Sequence, residues 1–327
     1  MGGNKKPPKD RKLMKLFVCI YSYRDLELDK TVKDLYSKAD NPKDIYCGIL
    51  NADDVPYKSK RKNVRIKNVD FNEYHGCGRG CYEILTELYQ GEDYVVKIDP
   101  HTRFSKGWDT YYKQFIGPDR VICSRCLGYY EDGHYDDLKD TYTVPVGWRE
   151  TLVADLTEKP LTKVPQETLF MQAGFFIAPG SWVKKVGYDP YIAMWGEETD
   201  LSCRTYLAGY KMYAVPARVF HLYGRKNRKS VDSTTEFNIM QYQGVKRTKI
   251  KIGLLPEDKS LMQEWEKYGC DGSIWRKEVE KGFGPQWKPI SPNEVYKCKH
   301  CGSKTFYGLG QCKWCYKDLA GSERIKV

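Results

Sequence analysis

No stretch of the 327 residues approaches the roughly 20 consecutive apolar residues that a bilayer-crossing helix needs. A helical membrane protein is thereby excluded, and no membrane partner is expected. Residues 1–13 lack the apolar core of a signal peptide; they are rich in Gly, Lys and Pro and read as a disordered basic tail. Internal repeats are also missing, which excludes a solenoid or propeller. The expected location is therefore cytoplasmic, with the 12 cysteines mostly reduced or metal-bound.

The chain has enough residues for one large domain with a small appendage, and 41% are hydrophobic, enough for a core. Its net charge is +11, with basic clusters at Lys58–Lys62 and Arg225–Lys229. Such a surface favours polyanionic partners, among them nucleic acid and nucleotide donors.

One segment carries chemistry. Tyr94-Val-Val-Lys-Ile-Asp-Pro-His-Thr-Arg-Phe104 is a short apolar strand that runs into Asp99-Pro100-His101. Pro100 cannot extend a sheet ladder, so the strand is expected to stop there. Asp99 offers hard oxygens and His101 an imidazole nitrogen, a pair that suits Mn²⁺ or a similar divalent ion such as Mg²⁺. At the C-terminal end of a strand in an α/β sheet, such an ion is well placed to hold a diphosphate.

Around it, strands are predicted at 16–20, 45–50, 64–69, 93–98, 120–123, 173–179 and 211–216. Helices are predicted at 28–39, 76–89, 107–115, 197–207 and 257–268. Residues 129–165 read as an irregular Tyr-rich insertion, 225–250 as a basic polar stretch, and 280–296 as a linker. The alternation of strand and helix predicts an α/β fold with a mainly parallel, doubly wound sheet. Residues 14–250 are expected to form the main domain and 251–292 a helical or linker extension.

Cys298-Lys-His-Cys301 and Cys312-Lys-Trp-Cys315 form two CxxC knuckles ten residues apart. Four thiolates at this spacing, Cys298, Cys301, Cys312 and Cys315, can close a tetrahedral Zn²⁺ site, so 293–320 reads as a small zinc ribbon. Metal would supply most of the stability of so small a unit. Cys77, Cys81, Cys123 and Cys126 read as free or buried thiols.

Several segments together resemble the GlcNAc-transferase family whose members modify cytoplasmic protein hydroxyls with α-linked GlcNAc. These are Val18-Cys-Ile-Tyr-Ser-Tyr-Arg-Asp25, the small-residue run Gly76 to Cys81, Gly91 to Phe104 and Gly107-Trp-Asp109. Gln172-Ala-Gly-Phe-Phe176, Trp195-Gly-Glu-Glu198 and Val219-Phe-His-Leu-Tyr223 complete the set. The resemblance implies a GT-A type, Rossmann-like fold, a UDP-sugar donor, and transfer with retention of configuration. It also implies His221 as the third protein ligand of a Mn²⁺ held by Asp99 and His101. Tyr21, Ser22, Tyr23, Arg24 and Asp25 would then meet the donor's base and ribose. Arg79, at a helix start, would meet its phosphates or ribose. Arg225 would clamp the diphosphate, and Glu197 or Glu198 would face the anomeric centre. The zinc ribbon is not part of the family's pattern.

Two acceptors are open. Net charge, clustered Lys and Arg and the ribbon point first to hydroxymethylpyrimidine in DNA, reached by base flipping or groove access, an activity that would suit a virus or phage. The alternative is a protein Ser, Thr or hydroxyproline hydroxyl. An alternative of another class is a non-catalytic nucleic-acid-binding protein, against which the intact Asp99, His101 and His221 argue.

Overall fold

The structure, a computed structural model, describes residues 14–73, 76–148, 154–223 and 235–283, with Leu152, Lys299 and three short C-terminal strands. Strands β1 (Leu16–Tyr23), β2 (Ile45–Ala52), β3 (Val64–Val69) and β4 (Tyr94–Ile98) form the first half of the main sheet. Helices α1 (Leu28–Ser37) and α2 (Gly76–Glu83) lie between them. A short β5 (Thr102–Phe104), α3 (Trp108–Tyr112), β6 (Arg120–Cys123) and β7 (Leu127–Tyr129) follow. Next come a hairpin, β8 (Thr141–Trp148) and β9 (Ala154–Pro160), then β10 (Gln166–Thr168), β11 (Phe175–Pro179) and α4 (Gly180–Lys185). The remaining elements are α5 (Glu197–Leu207), β12 (Lys211–Ala214), β13 (Val219–Leu222), α6 (Thr235–Lys251), α7 (Trp265–Tyr268) and α8 (Ser273–Glu280). Glu294–Lys297, Lys304–Phe306 and Glu323–Lys326 make a separate three-stranded antiparallel sheet. Cys298, Cys301, Cys312 and Cys315 lie outside the described residues, as does Arg225.

The main sheet has eight strands in the order β10-β12-β6-β11-β4-β1-β2-β3. Its first half is parallel, β4 to β1 to β2 to β3. In the other half β12 also runs parallel to β6, so most pairings are parallel as expected, but the sheet is mixed: β11 runs antiparallel to both β4 and β6, and β10 antiparallel to β12. Parallel neighbours need a long crossover, usually helical. The described chain between Cys123 and Phe175 has strands and turns but no helix, so β11 enters between β4 and β6 from the other direction.

Strand β1 is buried along almost its whole length because both faces are covered. Leu16, Val18 and Ile20 pack with Val32 and Leu35 of α1 and Trp108 of α3. Phe17, Cys19 and Tyr21 point the other way, onto Cys81 of α2, Trp182 of α4 and Leu201 of α5. A third cluster joins Trp148 of β8, Cys203 of α5, Val245 of α6 and Trp275 and Val279 of α8. The boundary expected at residue 250 therefore falls inside α6, and 252–279 contribute to the same packing. Two more expectations are corrected here. The irregular segment 129–165 contains the β8–β9 hairpin, and the helix expected at 257–268 is a 3-10 turn at Lys259–Leu261 followed by the short α7.

A buried ion cluster fastens α5 and α6 together. Lys251 Nζ donates to Asp189 Oδ2 and to Asp200 Oδ1, both at 2.6 Å. Arg247 Nε donates to the same Asp189 oxygen at 2.6 Å, and Arg204 Nε to Asp200 Oδ2 at 2.9 Å. Spare guanidinium protons go to the backbone carbonyls of Val186, Gly187, Leu261 and Gln263. Burial alone would raise the Asp200 pKa, but Arg204 and Lys251 outweigh it and hold the carboxyl below its ordinary value.

Candidate active site

Strand β4 ends at Ile98, and the chain turns through Asp99, Pro100 and His101 into β5. Strand β5 does not join the main sheet. It pairs antiparallel with β13, which sets Thr102 against His221, and β13 pairs in turn with β7. This small second sheet brings His221 back to the end of β4. His101 Nε2 and His221 Nε2 lie 2.8 Å apart, and His221 Nε2 is 3.2 Å from Asp99 Oδ2. One ligand atom from each of the three residues falls within 4.8 Å of the others.

Two imidazole nitrogens and a carboxylate oxygen converging on one point suit a divalent ion of the Mn²⁺ kind. The surroundings support the fit. Asp25 Oδ2 bonds His101 Nδ1 at 2.8 Å, which leaves Nε2 as the ligating nitrogen when Nδ1 carries the proton. Burial, the largest influence, pushes the His101 pKa below its ordinary value, toward the neutral form a metal requires. For Asp99 burial would raise the pKa, but Lys97 and the two histidines outweigh it and hold the carboxylate well below the usual range. Lys97 Nζ sits 2.6 Å from Asp99 Oδ1. Asp25, expected to read the donor's base or ribose, is thus the residue that orients His101. Asp25→Asn is expected to weaken Mn²⁺ binding about 10- to 100-fold, measured by metal titration, with the fold retained.

The metal-competent group lies in a cavity of about 750 Å³. Glu197 and Glu198 line it from the start of α5, where Gly196 takes φ +82° and turns the chain into the helix. Glu198 Oε1 accepts the Ala173 N–H at 2.8 Å, so its carboxylate is fixed. Glu197 is 5% exposed, and its Oε1 meets no hydrogen-bond donor among the described residues. Burial, then the Cys77 thiol, raise the Glu197 pKa well above the carboxylate range, only partly offset by Lys97. Of the two glutamates, Glu197 is the one whose Oε1 carries no hydrogen bond among the described residues.

Tyr21, Tyr23, Arg24 and Asp25 also line the cavity, at the end of β1. Ser22 does not: strand alternation turns it away, and it is fully buried with its hydroxyl unpartnered among the described residues. Arg24 adopts φ +44°, lies 4.2 Å over the Phe71 ring, and pairs with Asp54 at 2.7 Å. Arg79 is a second departure. Its Nε donates to Glu83 at 2.8 Å, and it lies outside the cavity lining.

The glycine run that opens α2 does not cradle phosphate through free N–H groups. Gly78 N donates to Ala193 O at 2.8 Å, so the chain itself occupies that helix start. A Cβ on Gly78 would stand 2.0 Å from Ile192 O, and one on Gly80 would stand 2.0 Å from the Tyr21 ring. Gly76 and Gly78 permit backbone contact with the loop that leads to Glu197, and Gly80 makes room for the Tyr21 ring. Cys77, on the same helix, faces the cavity. Its bond to Cys81, 3.9 Å away, and burial raise its pKa, so it is an inert neutral thiol.

Sequence reasoning passed over Lys97, Glu27, Arg103, Tyr129, Tyr130 and Tyr135, all of which line the cavity. Only Lys97 carried a signal: a lysine inside an otherwise apolar strand, two residues before Asp99 and so on its face. Among the described residues, no helix is long and apolar enough to cross a membrane.

Residues 15–55 and 51–269 match the family described as Glycosyltransferase (GlcNAc). No curated protein matches the chain. Among solved structures, S. aureus TarS 1-349 in complex with UDP-GlcNAc is 14% identical with a TM-score of 0.48, covering 76% of this chain and 69% of that one. A mannosyltransferase, PcManGT from Pyrobaculum calidifontis, in complex with GDP-Man and Mn²⁺, is 11% identical with a TM-score of 0.45, covering 81% and 69%.

Proposed function

As a member of the GlcNAc glycosyltransferase family, this chain is a sugar-transferring enzyme, and we propose that it moves GlcNAc or a hexose from a UDP-sugar onto the hydroxymethyl group of a modified pyrimidine in DNA. The observation that carries the chemistry is the convergence of Asp99, His101, His221 and Glu197 in one cavity. Asp99, His101 and His221 would hold Mn²⁺ or Mg²⁺, which when bound would offset the negative charge developing on the departing UDP. Lys97 balances the Asp99 carboxylate from below. Tyr21, Tyr23 and Arg24, at the end of β1, would position the nucleoside, and Glu197 would orient a sugar or acceptor hydroxyl. Retention of configuration and a GT-A architecture follow the family resemblance.

Support for DNA comes from where the charge lies. The first 13 residues hold five Lys and Arg against one Asp, Arg225–Lys229 holds four cations and no acid, and 284–327 holds eight against three. These segments account for more than the whole excess of +11, so the rest of the chain is slightly acidic. Inside the cavity, the four lining cations are each paired: Arg24 with Asp54, Lys97 with Asp99, and Lys30 and Arg103 with Glu27. Phosphate contacts position a protein on DNA, while a flipped base enters a pocket that need not be basic. The basic segments, with Zn²⁺ held by the C-terminal cysteines, would grip the backbone, and the cavity would take the base.

A protein hydroxyl is the second reading, favoured by one observation: six carboxylates line the cavity against those four cations. Intact-mass spectrometry separates the two. Duplexes carrying 5-hydroxymethylcytosine or 5-hydroxymethyluracil, incubated with enzyme, Mn²⁺ and UDP-GlcNAc or UDP-glucose, are expected to gain one sugar mass per modified base. UDP release with no gain on DNA, alongside a gain on Ser, Thr or hydroxyproline peptides, would assign the acceptor to protein.

A further inference from the structure

One wall of the cavity remains without a role once the metal ligands, Glu197 and the β1 residues are accounted for. It is formed by β7 and the turn that follows it. Strand β7 pairs in parallel with β13, which places Gly128 beside the metal-ligand candidate His221 and Tyr129 beside Leu222. The turn is closed by Tyr130 N to His134 O at 2.9 Å and by Asp136 N to Gly128 O at 2.8 Å, and Tyr129 bridges back to Tyr135. The position of Tyr135 is therefore fixed by backbone bonds that continue into the strand beside His221.

The two tyrosines stack. Their ring centroids are 5.5 Å apart with planes 21° from parallel, and Phe220 of β13 meets Tyr135 edge-on at 5.0 Å. Tyr129 is buried, with the Arg103 guanidinium 4.9 Å from its ring centroid and its hydroxyl 3.4 Å from Glu27 Oε2. Arg103 is itself bonded to Glu27. Tyr135, by contrast, is 43% exposed while lining the cavity. A rigidly backed aromatic ring, part-open beside the reacting centre, is suited to receive a flat ring by stacking. Beside it, Glu131, Asp132, Asp136 and Asp137 make the turn acidic, so a nucleotide whose ring stacks there must enter with its phosphates directed away from the turn.

We propose that the Tyr129–Tyr135 stack is the acceptor platform, on which the pyrimidine carrying the hydroxymethyl group stacks while its hydroxyl is presented to the donor sugar. This rests on the DNA reading given above. Tyr135 is a specificity-determining residue in this assignment, and Tyr129, Arg103 and Glu27 are its supports.

Steady-state transfer onto a hydroxymethylcytosine-containing oligonucleotide tests it, using the full-length protein with Mn²⁺ and UDP-sugar. Tyr135→Ala is expected to raise KM for the oligonucleotide about 5- to 150-fold, the range for losing one base–aromatic stack. Tyr135→Phe, which keeps the ring, is expected to restore KM to within about threefold of wild type. Thermal melting and UDP affinity of each variant show whether it is folded with its donor side intact. A wild-type KM in folded Tyr135→Ala overturns the platform and leaves the DNA reading standing. Absence of transfer to any DNA by the wild-type enzyme overturns the DNA reading, and the pyrimidine platform with it.

Discussion

Replacing Asp99 by Asn or His221 by Ala is expected to lower sugar transfer and UDP release together by roughly a thousandfold or more. A bound divalent ion contributes several kcal/mol of charge stabilisation, and each 1.36 kcal/mol is tenfold in rate. The two substitutions remove one candidate ligand each from a group in which the potential ligand atoms all lie within 4.8 Å of one another. They differ in their structural cost. Asp99 neutralises Lys97, which is only 3% exposed, so Asp99→Asn leaves a buried cation without its counter-charge and should also lower Tm. His221 lies nearer the surface, and its loss leaves the Lys97–Asp99 pair in place. His221→Ala should therefore lose activity with little loss of stability. Stopped assays of UDP release, with and without added Mn²⁺, would check both. Wild-type turnover in either variant would remove Asp99, His101 and His221 from the mechanism.

The largest expected effect on stability lies away from the cavity, in the ion cluster between α5 and α6. Asp189→Ala should cost about 3–5 kcal/mol, because it strips the shared counter-charge from two cations buried to 1% exposure or less. Lys251→Met should cost distinctly less. It leaves two matched pairs, Asp189 with Arg247 and Asp200 with Arg204, and removes the cation in excess. Urea unfolding of the two variants gives the comparison directly. Equal losses would mean that the Lys251 ammonium, bonded to its two carboxylates, is as necessary as the Asp189 charge and is not a cation in excess.

The reading of the sequence was sound where one physical signal dominated. Strands β1 to β4 announced themselves as apolar runs, and α5 begins and ends where its pattern placed it, at Glu197 and Leu207. The end of β4 at Ile98 was legible because proline stops a ladder. Helix α6 was not legible, because Gln241, Arg247, Thr248 and Lys251, which look like a solvated polar stretch, are 0–1% exposed and bonded to specific partners, Gln241 through its Oε1. A pattern of apolar and polar letters cannot announce a core made partly of ion pairs. The bond of Asp25 to His101 was not legible, since it spans 76 residues and exists only once β1 and β4 are paired. His221 was reached through the family resemblance alone, for the same reason of distance in sequence. Arg79 is expected at a donor-facing helix start, whereas the glycines beside it, Gly76 and Gly78, admit the Ile192 and Ala193 backbone there.

That last contact has an evolutionary consequence. Where two pieces of backbone touch with no side chain between them, there is nothing to exchange for something slightly larger or smaller. The spacing between α2 and the loop entering α5, and with it the placing of Glu197 against the Tyr21 wall, can be inherited or lost but not adjusted by single substitutions. The turn after β7 has no such restriction, since Tyr135 and its acidic neighbours are partly or fully open to solvent. Variants selected for a new acceptor should accumulate their changes on that turn, while residues 76–80 stay as they are.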